Sequence, residues 1–206
     1  MGCAFGGAGC AGRCSRGLSS GGEYGIAAAT DASAPRLPLR ACRGWLQVDR
    51  SPDSKIDMQA LLQTALEVAQ AMAYLHSKDV IHADLTGNNV LLTKSAADKR
   101  GFMAMVGDFG LSRVASEGTM NTNTFGTVSH MPPELLADGT LTKAADVYAF
   151  GVLVWEMYNG TRAFVGRRAP TIIHAVTSGT GQLTMPDFAP ADLKVGWGDP
   201  TAPWSG

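Results

Sequence analysis

The segment DVYAFGVLVWEMY, residues 146–158, is the feature that most constrains how this chain folds. Apolar side chains occupy nearly every side of a helix built from this segment, whereas a helix on the rim of a domain carries a polar stripe that faces water. Asp146 stands at the start of the segment and is a candidate N-cap. The segment therefore predicts a helix at the centre of a mainly α domain.

A second long helix is predicted over SKIDMQALLQTALEVAQAMAYLH, with Ser54 or Asp57 as its N-cap. Its apolar residues at helical spacing predict one buried face, formed by Leu62, Ala65, Leu66, Ala69, Met72 and Ala73. Short strands are predicted at 80–82, 89–92 and 103–106, a Gly- and Thr-rich loop at 107–133, and a short helix at 170–176.

Composition divides the chain into three parts. Residues 1–40 are rich in Gly, Ala and Ser with few large apolar side chains, so they bury too little surface to offset chain entropy and are expected to form a flexible tail. Residues 41–190 are expected to form the folded domain, because 45% of this 206-residue chain is hydrophobic, enough for one sizeable core. Residues 191–206 are expected to be irregular.

Charge and cysteine content exclude several classes of function. The net charge is −1, from 17 basic and 18 acidic side chains, so no broad positive field favours nucleic acid. The chain has no run of about 18 apolar residues that would predict a transmembrane segment. The four cysteines fit no common zinc spacing, and the first residues are too polar and glycine-rich for the apolar core of a secretory leader. Disulfides are therefore not expected, which favours a reducing, cytoplasmic setting. Gly2 and Cys3 offer a site for acylation, but Gly6 stands where the myristoylation pattern has Ser or Thr.

Three oxygen-bearing side chains follow predicted strands: Asp84 and Asn89 in HADLTGNNVLL, and Asp108 in DFG. Mg²⁺ prefers carboxylate and amide oxygens and usually keeps waters and substrate phosphates as its other ligands. Two such side chains, with a third acting as a base, would suffice for phosphoryl transfer. Each residue alone is as readily a turn former, so the hypothesis depends on the ordered set.

The ordered motifs resemble the C-terminal lobe of the eukaryotic protein kinases. The stretches GTVSHMPPE and GVLVWEM look most like the tyrosine-kinase-like branch of serine/threonine kinases. The resemblance implies a helical lobe with a few short strands around a catalytic loop, and transfer of a phosphoryl group from ATP, with Mg²⁺, to a Ser or Thr hydroxyl of a protein substrate. The motifs are His82-Ala83-Asp84-Leu85, Asn89, Asp108-Phe109-Gly110, Pro132-Pro133-Glu134 and Asp146.

The resemblance also implies a role for each residue that matches the catalytic motifs. Asp84 would orient the substrate hydroxyl and accept its proton, while Asn89 and Asp108 would hold Mg²⁺. Leu91 would lie under the adenine ring. Phe109 would pack beneath its loop, and Gly110 would give that loop the freedom to change conformation.

Other matched residues would have structural or regulatory roles. His82 would be a packed, hydrogen-bonded core residue, and Asp146 would accept backbone N–H groups of the catalytic loop. Gly126-Thr127 would begin the substrate-docking segment. Glu134 lacks the arginine that pairs with it in the family, which would be a liability if Glu134 were buried. The candidate phosphorylation sites of the activation loop are Ser116, Thr119, Thr122 and Thr124.

Two departures from the family pattern lie in the catalytic loop. Ala83 stands where many kinases have an arginine that binds an activation-loop phosphate, so the sequence predicts altered regulation and an intact base. Thr86 replaces the lysine that steadies the transferred phosphate, which predicts a slower reaction.

A larger departure lies upstream. No lysine precedes Lys55, so the lysine that clamps the ATP phosphates is missing, and neither its partner glutamate nor the glycine-rich strand pair is found. This predicts an N-terminal lobe that is largely absent and a truncated kinase domain with weak or no activity of its own. The alternative is a catalytically inactive, pseudokinase-like interaction module.

Overall fold

The computed structural model describes residues 56–114, 120–121 and 126–194, so the predicted tail at 1–40 and residues 195–206 lie outside the described ranges. Within those ranges no helix combines the length and the apolar composition that crossing a bilayer requires. The mainly helical fold with a few short strands is confirmed. The helices are α1 (Met58–Ser77), α2 (Pro133–Asp138), α3 (Lys143–Asn159), α4 (Ala169–Thr177) and α5 (Ala191–Lys194), and the strands are β1 (Val80–Ile81), β2 (Val90–Lys94), β3 (Phe102–Val106), β4 (Arg113–Val114), β5 (Met120–Asn121) and β6 (Thr140–Leu141).

Helix α3 lies at the centre of the described fold, as its apolar sequence predicts. The Thr142 hydroxyl caps it by accepting the Ala144 N–H at 3.2 Å, and Gly160 ends it in the left-handed conformation. One cluster of buried side chains joins α3 to α1, β2 and β3, and a second cluster joins it to β1, α2 and β6. Both clusters thus meet at α3.

Helix α1 begins as predicted but buries a different face. Asp57 is the N-cap, and its carboxylate accepts the Ala60 N–H at 2.9 Å. The predicted face is wrong at Leu62 and Leu66, which are 51% and 49% exposed, and at Ala73, which is also exposed. It is confirmed at Ala65 and Met72, which are buried. The buried residues lie roughly a quarter of a turn away, since consecutive residues are about 100° apart on a helix; they are Ala60, Leu61, Thr64, Ala65, Val68, Met72 and Leu75.

The strands form three antiparallel pairs. β2 and β3 form a hairpin with Val90 opposite Val106, and their ends differ by only a few residues from the predicted strands. The predicted loop at 107–133 also contains β4, which pairs with β1, and β5, which pairs with β6, followed by a 3₁₀ turn at Val128–His130. A two-residue strand is too short to show the alternation that predicts strands.

Arg100 connects the β2–β3 hairpin to α1 through hydrogen bonds and an ion pair. The Arg100 guanidinium donates to Thr64 Oγ1 at 2.8 Å and to Asp98 Oδ2 at 2.7 Å, and it pairs with the Glu67 carboxylate. The other Glu67 oxygen accepts the Ala104 N–H of β3 at 2.8 Å. The hydrogen bonds from Arg100 lower the pKa of Asp98 to about 2. The Arg100 side chain is only 8% exposed, so this network is part of the packed structure.

The last described helix differs from the predicted irregular tail. α5 makes one helical turn, in which the Leu193 N–H donates to the Pro190 carbonyl at 3.1 Å. Leu193 packs against the larger core cluster, and this contact supplies a physical reason for order at the start of the predicted tail.

Candidate active site

Asp146, in the first turn of α3, anchors the loop that leads from β1 to β2. It is 2% exposed, and its Oδ2 accepts the His82 N–H and the His76 Nε2–H, both at 2.8 Å. Its Oδ1 accepts the Ala83 N–H at 2.9 Å. A buried carboxylate needs such donors to offset its desolvation. The N-cap of α3 is Thr142, so the candidate N-cap role of Asp146 is wrong. Its carboxylate instead accepts the N–H groups that fix the loop.

His82 is fully buried beneath the same loop. Its Nε2 donates to the Gly107 carbonyl at 3.1 Å, while its Nδ1 accepts the Asp84 N–H at 3.3 Å. These two partners assign the proton to Nε2, because a carbonyl can only accept and a backbone N–H can only donate. The Phe109 ring packs against the imidazole with centroids 5.4 Å apart. His82 is therefore a packed residue that holds two loops together.

The Asp84 carboxylate is held in one orientation by two segments. Its Oδ1 accepts both the N–H and the hydroxyl of Thr127 at 2.9 Å, and its Oδ2 accepts the Asn89 side-chain amide at 3.0 Å. A Cβ on Gly126 would lie 2.6 Å from Asp84 Oδ1, so this approach requires glycine. Asp84 is half-buried, and a carboxylate fixed in this way can accept a proton from a hydroxyl placed against it.

Asn89 connects Asp84 to the segment that follows β3. Its side-chain Nδ2 also donates to the Asp84 backbone carbonyl at 2.7 Å, and this orientation leaves Oδ1 as the acceptor atom of the amide. The Asn89 carbonyl accepts the Gly107 N–H at 2.8 Å. Asp108 follows directly, is exposed and has φ of +60°. The structure therefore brings Asp84, Asn89 and Asp108 to the same end of the β2–β3 hairpin.

The Asp108-Phe109-Gly110 turn is tight. The Gly110 N–H lies 3.4 Å from Asp108 Oδ1, and a Cβ on Gly110 would come within 3.3 Å of the same oxygen. Phe109 packs partly into the larger core cluster, as the resemblance implies. The turn thus buries its aromatic side chain and turns its carboxylate toward solvent.

The oxygen atoms of Asn89 and Asp108 at this end of the hairpin are suitable ligands for a Mg²⁺ ion that is also bound to phosphate. Within the described ranges no three His, Cys, Asp or Glu side chains are grouped closely enough to hold a metal ion. Mg²⁺ needs fewer protein ligands, because it usually takes one or two oxygen side chains and completes its shell with waters and phosphate oxygens. Asn89 Oδ1 and the Asp108 carboxylate are oxygen donors of this kind. Leu91 follows on β2 and is half-buried, and a Cβ added to Gly107 would lie 3.1 Å from the Leu91 Cδ1.

The remaining candidate residues, Thr127 and Glu134, lie before and within α2. Thr127 precedes the 3₁₀ turn and binds Asp84, whereas Glu134 is exposed in the first turn of α2. The liability expected of a buried, unpaired Glu134 therefore does not arise. Burial raises the pKa of Tyr148 to about 12, and the Glu134 charge adds to this effect. The candidate phosphorylation sites Ser116, Thr119, Thr122 and Thr124 lie outside the described residues.

The two residues of the catalytic loop that depart from the family pattern, Ala83 and Thr86, both take part in the structure of the loop. Ala83 has φ of +66°, and its N–H is bound by Asp146. Thr86 is 3% exposed, and its hydroxyl accepts the Asn88 N–H at 3.3 Å. Residues 82–89 contain no Lys or Arg. The loop therefore positions a carboxylate and an amide without supplying a cation of its own.

Three further residues shape the site: His76 and Gly107, for which the sequence predicted no role, and Gly126, which the resemblance places at the start of the substrate-docking segment. His76 donates to Asp146, Gly107 bonds both His82 and Asn89, and Gly126 allows the close approach to Asp84. Gly107 directly precedes Asp108, and a glycine next to a candidate functional residue is the signal that could have identified it. Nothing in the local sequence marks His76.

The chain matches a family model described as "Protein tyrosine and serine/threonine kinase" over residues 38–195. It is 35% identical over 140 residues to a "Probable serine/threonine-protein kinase" of Dictyostelium discoideum, and 31% identical over 141 residues to "Mitogen-activated protein kinase kinase kinase 13" of Mus musculus. Each match covers 68% of this chain and 15% or 14% of the relative. The chain belongs to the protein kinase family, which confirms the predicted family.

Proposed function

We propose that this chain is the C-terminal lobe of a serine/threonine protein kinase domain and transfers the terminal phosphoryl group of ATP to a protein hydroxyl. The observation that carries this proposal is the Asp84 carboxylate, bound by Asn89 on one oxygen and by Thr127 on the other. The Dictyostelium discoideum relative, which is named as a probable serine/threonine-protein kinase, supports the class of hydroxyl. Asp108 at the same end of the hairpin supports the phosphate site.

In this proposal the hydrogen bonds of Asp84 with Asn89 and Thr127 position it for catalysis. Asp84 orients the substrate hydroxyl and accepts its proton as the oxygen attacks, and Thr127 keeps the carboxylate from rotating. Asn89 and Asp108 hold Mg²⁺. When bound, Mg²⁺ supplies charge neutralisation at the phosphates. Leu91 offers an apolar contact for the adenine ring.

We further propose that the chain on its own is a slow catalyst. No lysine precedes Lys55, and residues 82–89 carry no cation to steady the transferred phosphate. Loss of a single positioned donor costs about 10² to 10³ in rate, so two missing lysines have a large effect. The alternative function is a binding module without catalysis, which the same missing cations favour.

A pair of measurements separates the two functions. In a thermal-shift titration, Mg²⁺ and ATP raise the melting temperature of a chain that binds the nucleotide, in proportion to the logarithm of ligand concentration above Kd. Phosphate incorporation into a Ser-containing peptide then reports transfer. The test variant is Asp108→Asn, and the matched control is Asp138→Asn, which removes an exposed carboxylate at the end of α2.

The kinase proposal expects both signals in the native chain and in Asp138→Asn, and loss of incorporation in Asp108→Asn. A melting shift without incorporation supports the binding module. Incorporation that survives in Asp108→Asn contradicts the role given to this residue.

A further inference from the structure

The chain concentrates unneutralised positive charge between α3 and α4. Residues 157–186 contain three arginines and one histidine and have no Asp or Glu, although the whole chain has a net charge of −1. The arginines are Arg162, Arg167 and Arg168, and we call residues 162–168 the arginine loop. This segregation of charge is independent of the catalytic motifs.

All three arginines are exposed, and none forms an ion pair with the residues that the structure describes. The nearest preceding carboxylate in the sequence, Glu156, is otherwise engaged. Its Oε1 accepts the Ala163 N–H at 2.8 Å, and its Oε2 lies 3.7 Å from His130 Nε2. The Arg167 guanidinium lies over the Phe164 ring, 5.9 Å from its centroid. Because no described carboxylate pairs with the three guanidinium groups, they can bind an acidic partner.

The backbone of the arginine loop has a defined shape. The Arg167 N–H donates to the Phe164 carbonyl at 3.0 Å, and the Arg168 carbonyl accepts the Thr171 N–H at 3.0 Å at the start of α4. Phe164 and Gly166 have φ of +54° and +79°. Val165 is 70% exposed between the arginines. An ordered loop loses little entropy on binding, and an exposed apolar residue among cations adds a contact.

The arginine loop is connected to the proposed substrate-docking segment. Ala163, in the loop, and His130, at the end of the 3₁₀ turn, both contact Glu156. Helix α4 also packs against this turn and against α2. The turn follows Thr127, which binds Asp84. A polypeptide lying across the turn would thus reach the arginine loop.

We propose that the arginine loop docks an acidic segment of the protein substrate, separate from the residue that receives the phosphate. Guanidinium groups bind carboxylates through paired N–H donors, and exposed charges also speed association. The apolar contact at Val165 favours an acidic segment that contains an aliphatic residue. This inference names a substrate feature and rests on the proposed kinase function.

The test measures binding without ATP, so it does not depend on catalysis. A fluorescein-labelled peptide of glutamates around one leucine is titrated with the full chain, beside the same peptide with glutamine in place of glutamate. The test variant carries Arg162→Glu, Arg167→Glu and Arg168→Glu. The control carries Lys78→Glu, Lys94→Glu and Lys99→Glu, which changes the net charge equally at exposed lysines elsewhere.

The proposal expects the native chain to bind the glutamate peptide about tenfold or more tightly than the glutamine peptide, and raised salt to reduce the difference. The arginine variant loses this preference, and the lysine variant keeps it within about threefold. Equal losses in both variants, no preference in the native chain, or equal binding of an oligonucleotide of matched charge overturn the proposal. If the arginine variant fails to fold by thermal denaturation, the Arg→Gln triple variant replaces it.

A second readout separates this proposal from the kinase function. Phosphate transfer is measured for a Ser-containing peptide with and without the glutamate segment. In the native chain and in the lysine variant, the segment is expected to lower KM and to leave kcat unchanged. In the arginine variant, the segment is expected to leave KM unchanged. Peptide binding without phosphate transfer contradicts the kinase function alone. Transfer that is indifferent to the glutamate segment overturns the docking proposal alone.

Discussion

Individual carboxylates have distinct environments in this molecule. Asp146 is buried and satisfied by three donors, whereas Asp84 is half-buried and accepts hydrogen bonds from the Asn89 side chain and from the N–H and hydroxyl of Thr127. Asp79 is exposed and pairs with Lys143 on the surface. Substitutions of the same type at these positions should therefore have different consequences.

Replacing Asp146 with Asn should lower the free energy of unfolding by about 3 kcal/mol, because the amide nitrogen faces buried donors and leaves at least one unsatisfied. Urea denaturation of the full chain measures this change. Asp79→Asn is the matched control and should leave the midpoint unchanged, since a surface ion pair contributes little. Equal effects of the two substitutions would show that Asp146 does not anchor the loop.

Removing the Thr127 hydroxyl tests the positioning of Asp84. Thr127→Ala keeps the backbone hydrogen bond and removes the side-chain bond, which should lower kcat by roughly fivefold for a bond that contributes about 1 kcal/mol. Thr127→Ser restores the hydroxyl and should recover most of the rate. KM for the peptide should change less than kcat, and a loss confined to KM would argue for substrate binding alone.

At the scale of elements, helix α1 shows what a local pattern predicts and what it leaves open. Its start follows from Asp57, since a cap acts within one turn. The choice of face does not, because Leu61 and Val68 lie on one side and Leu62 and Leu66 on the next. Both stripes satisfy helical spacing. Only packing against β3 and α3 selects the stripe that is buried.

The Arg100 network shows the same limit at longer range. Arg100 reaches Thr64 and Glu67, which lie 36 and 33 residues away in the sequence. No spacing rule connects such residues. The sequence nonetheless named candidate catalytic residues far apart in the chain, because the family resemblance supplies an order of motifs that local patterns lack. Gly107 and His76 fall outside those motifs, and their hydrogen bonds to residues of the site became evident only in the structure.

Arg100→Met should change how stability depends on pH. The folded pKa of Asp98, about 2, is below the ordinary value of 3.8 for an aspartate, so the stabilisation is present above about pH 4 and is lost as pH falls toward 2. In the variant, the slope of unfolding free energy against pH in this range should be smaller. Chemical denaturation across this range measures the slope. An unchanged slope would mean that Arg100 does not set the Asp98 titration.

At the scale of the whole molecule, α3 joins the two core clusters. Leu153 is fully buried in the larger cluster, whereas Val147 on the same helix is 57% exposed. The apolar sequence of α3 predicts its central position, because no side of the helix is suited to face water. Which neighbours surround it depends on contacts between distant segments.

Leu153→Ala should lower the free energy of unfolding by about 2 to 5 kcal/mol, the cost of removing a buried leucine and leaving a cavity. Val147→Ala is the control and should have little effect at its exposed position. Denaturation followed by both tryptophan fluorescence and circular dichroism checks this, and the two transitions should coincide because one helix joins both clusters. Similar losses in the two variants would contradict the central position of α3.

The most direct test of the account is paramagnetic broadening by Mn²⁺ and ATP in amide NMR spectra, with Mn²⁺ in place of Mg²⁺. Asp84, Asn89 and Asp108 meet at one end of the hairpin, so the account predicts that amide signals of 84–89 and 107–110 broaden first, and that Asp108→Asn weakens this effect. Broadening centred on other carboxylates, or the same pattern in Asp108→Asn, would contradict a phosphate-bound metal site built from these residues.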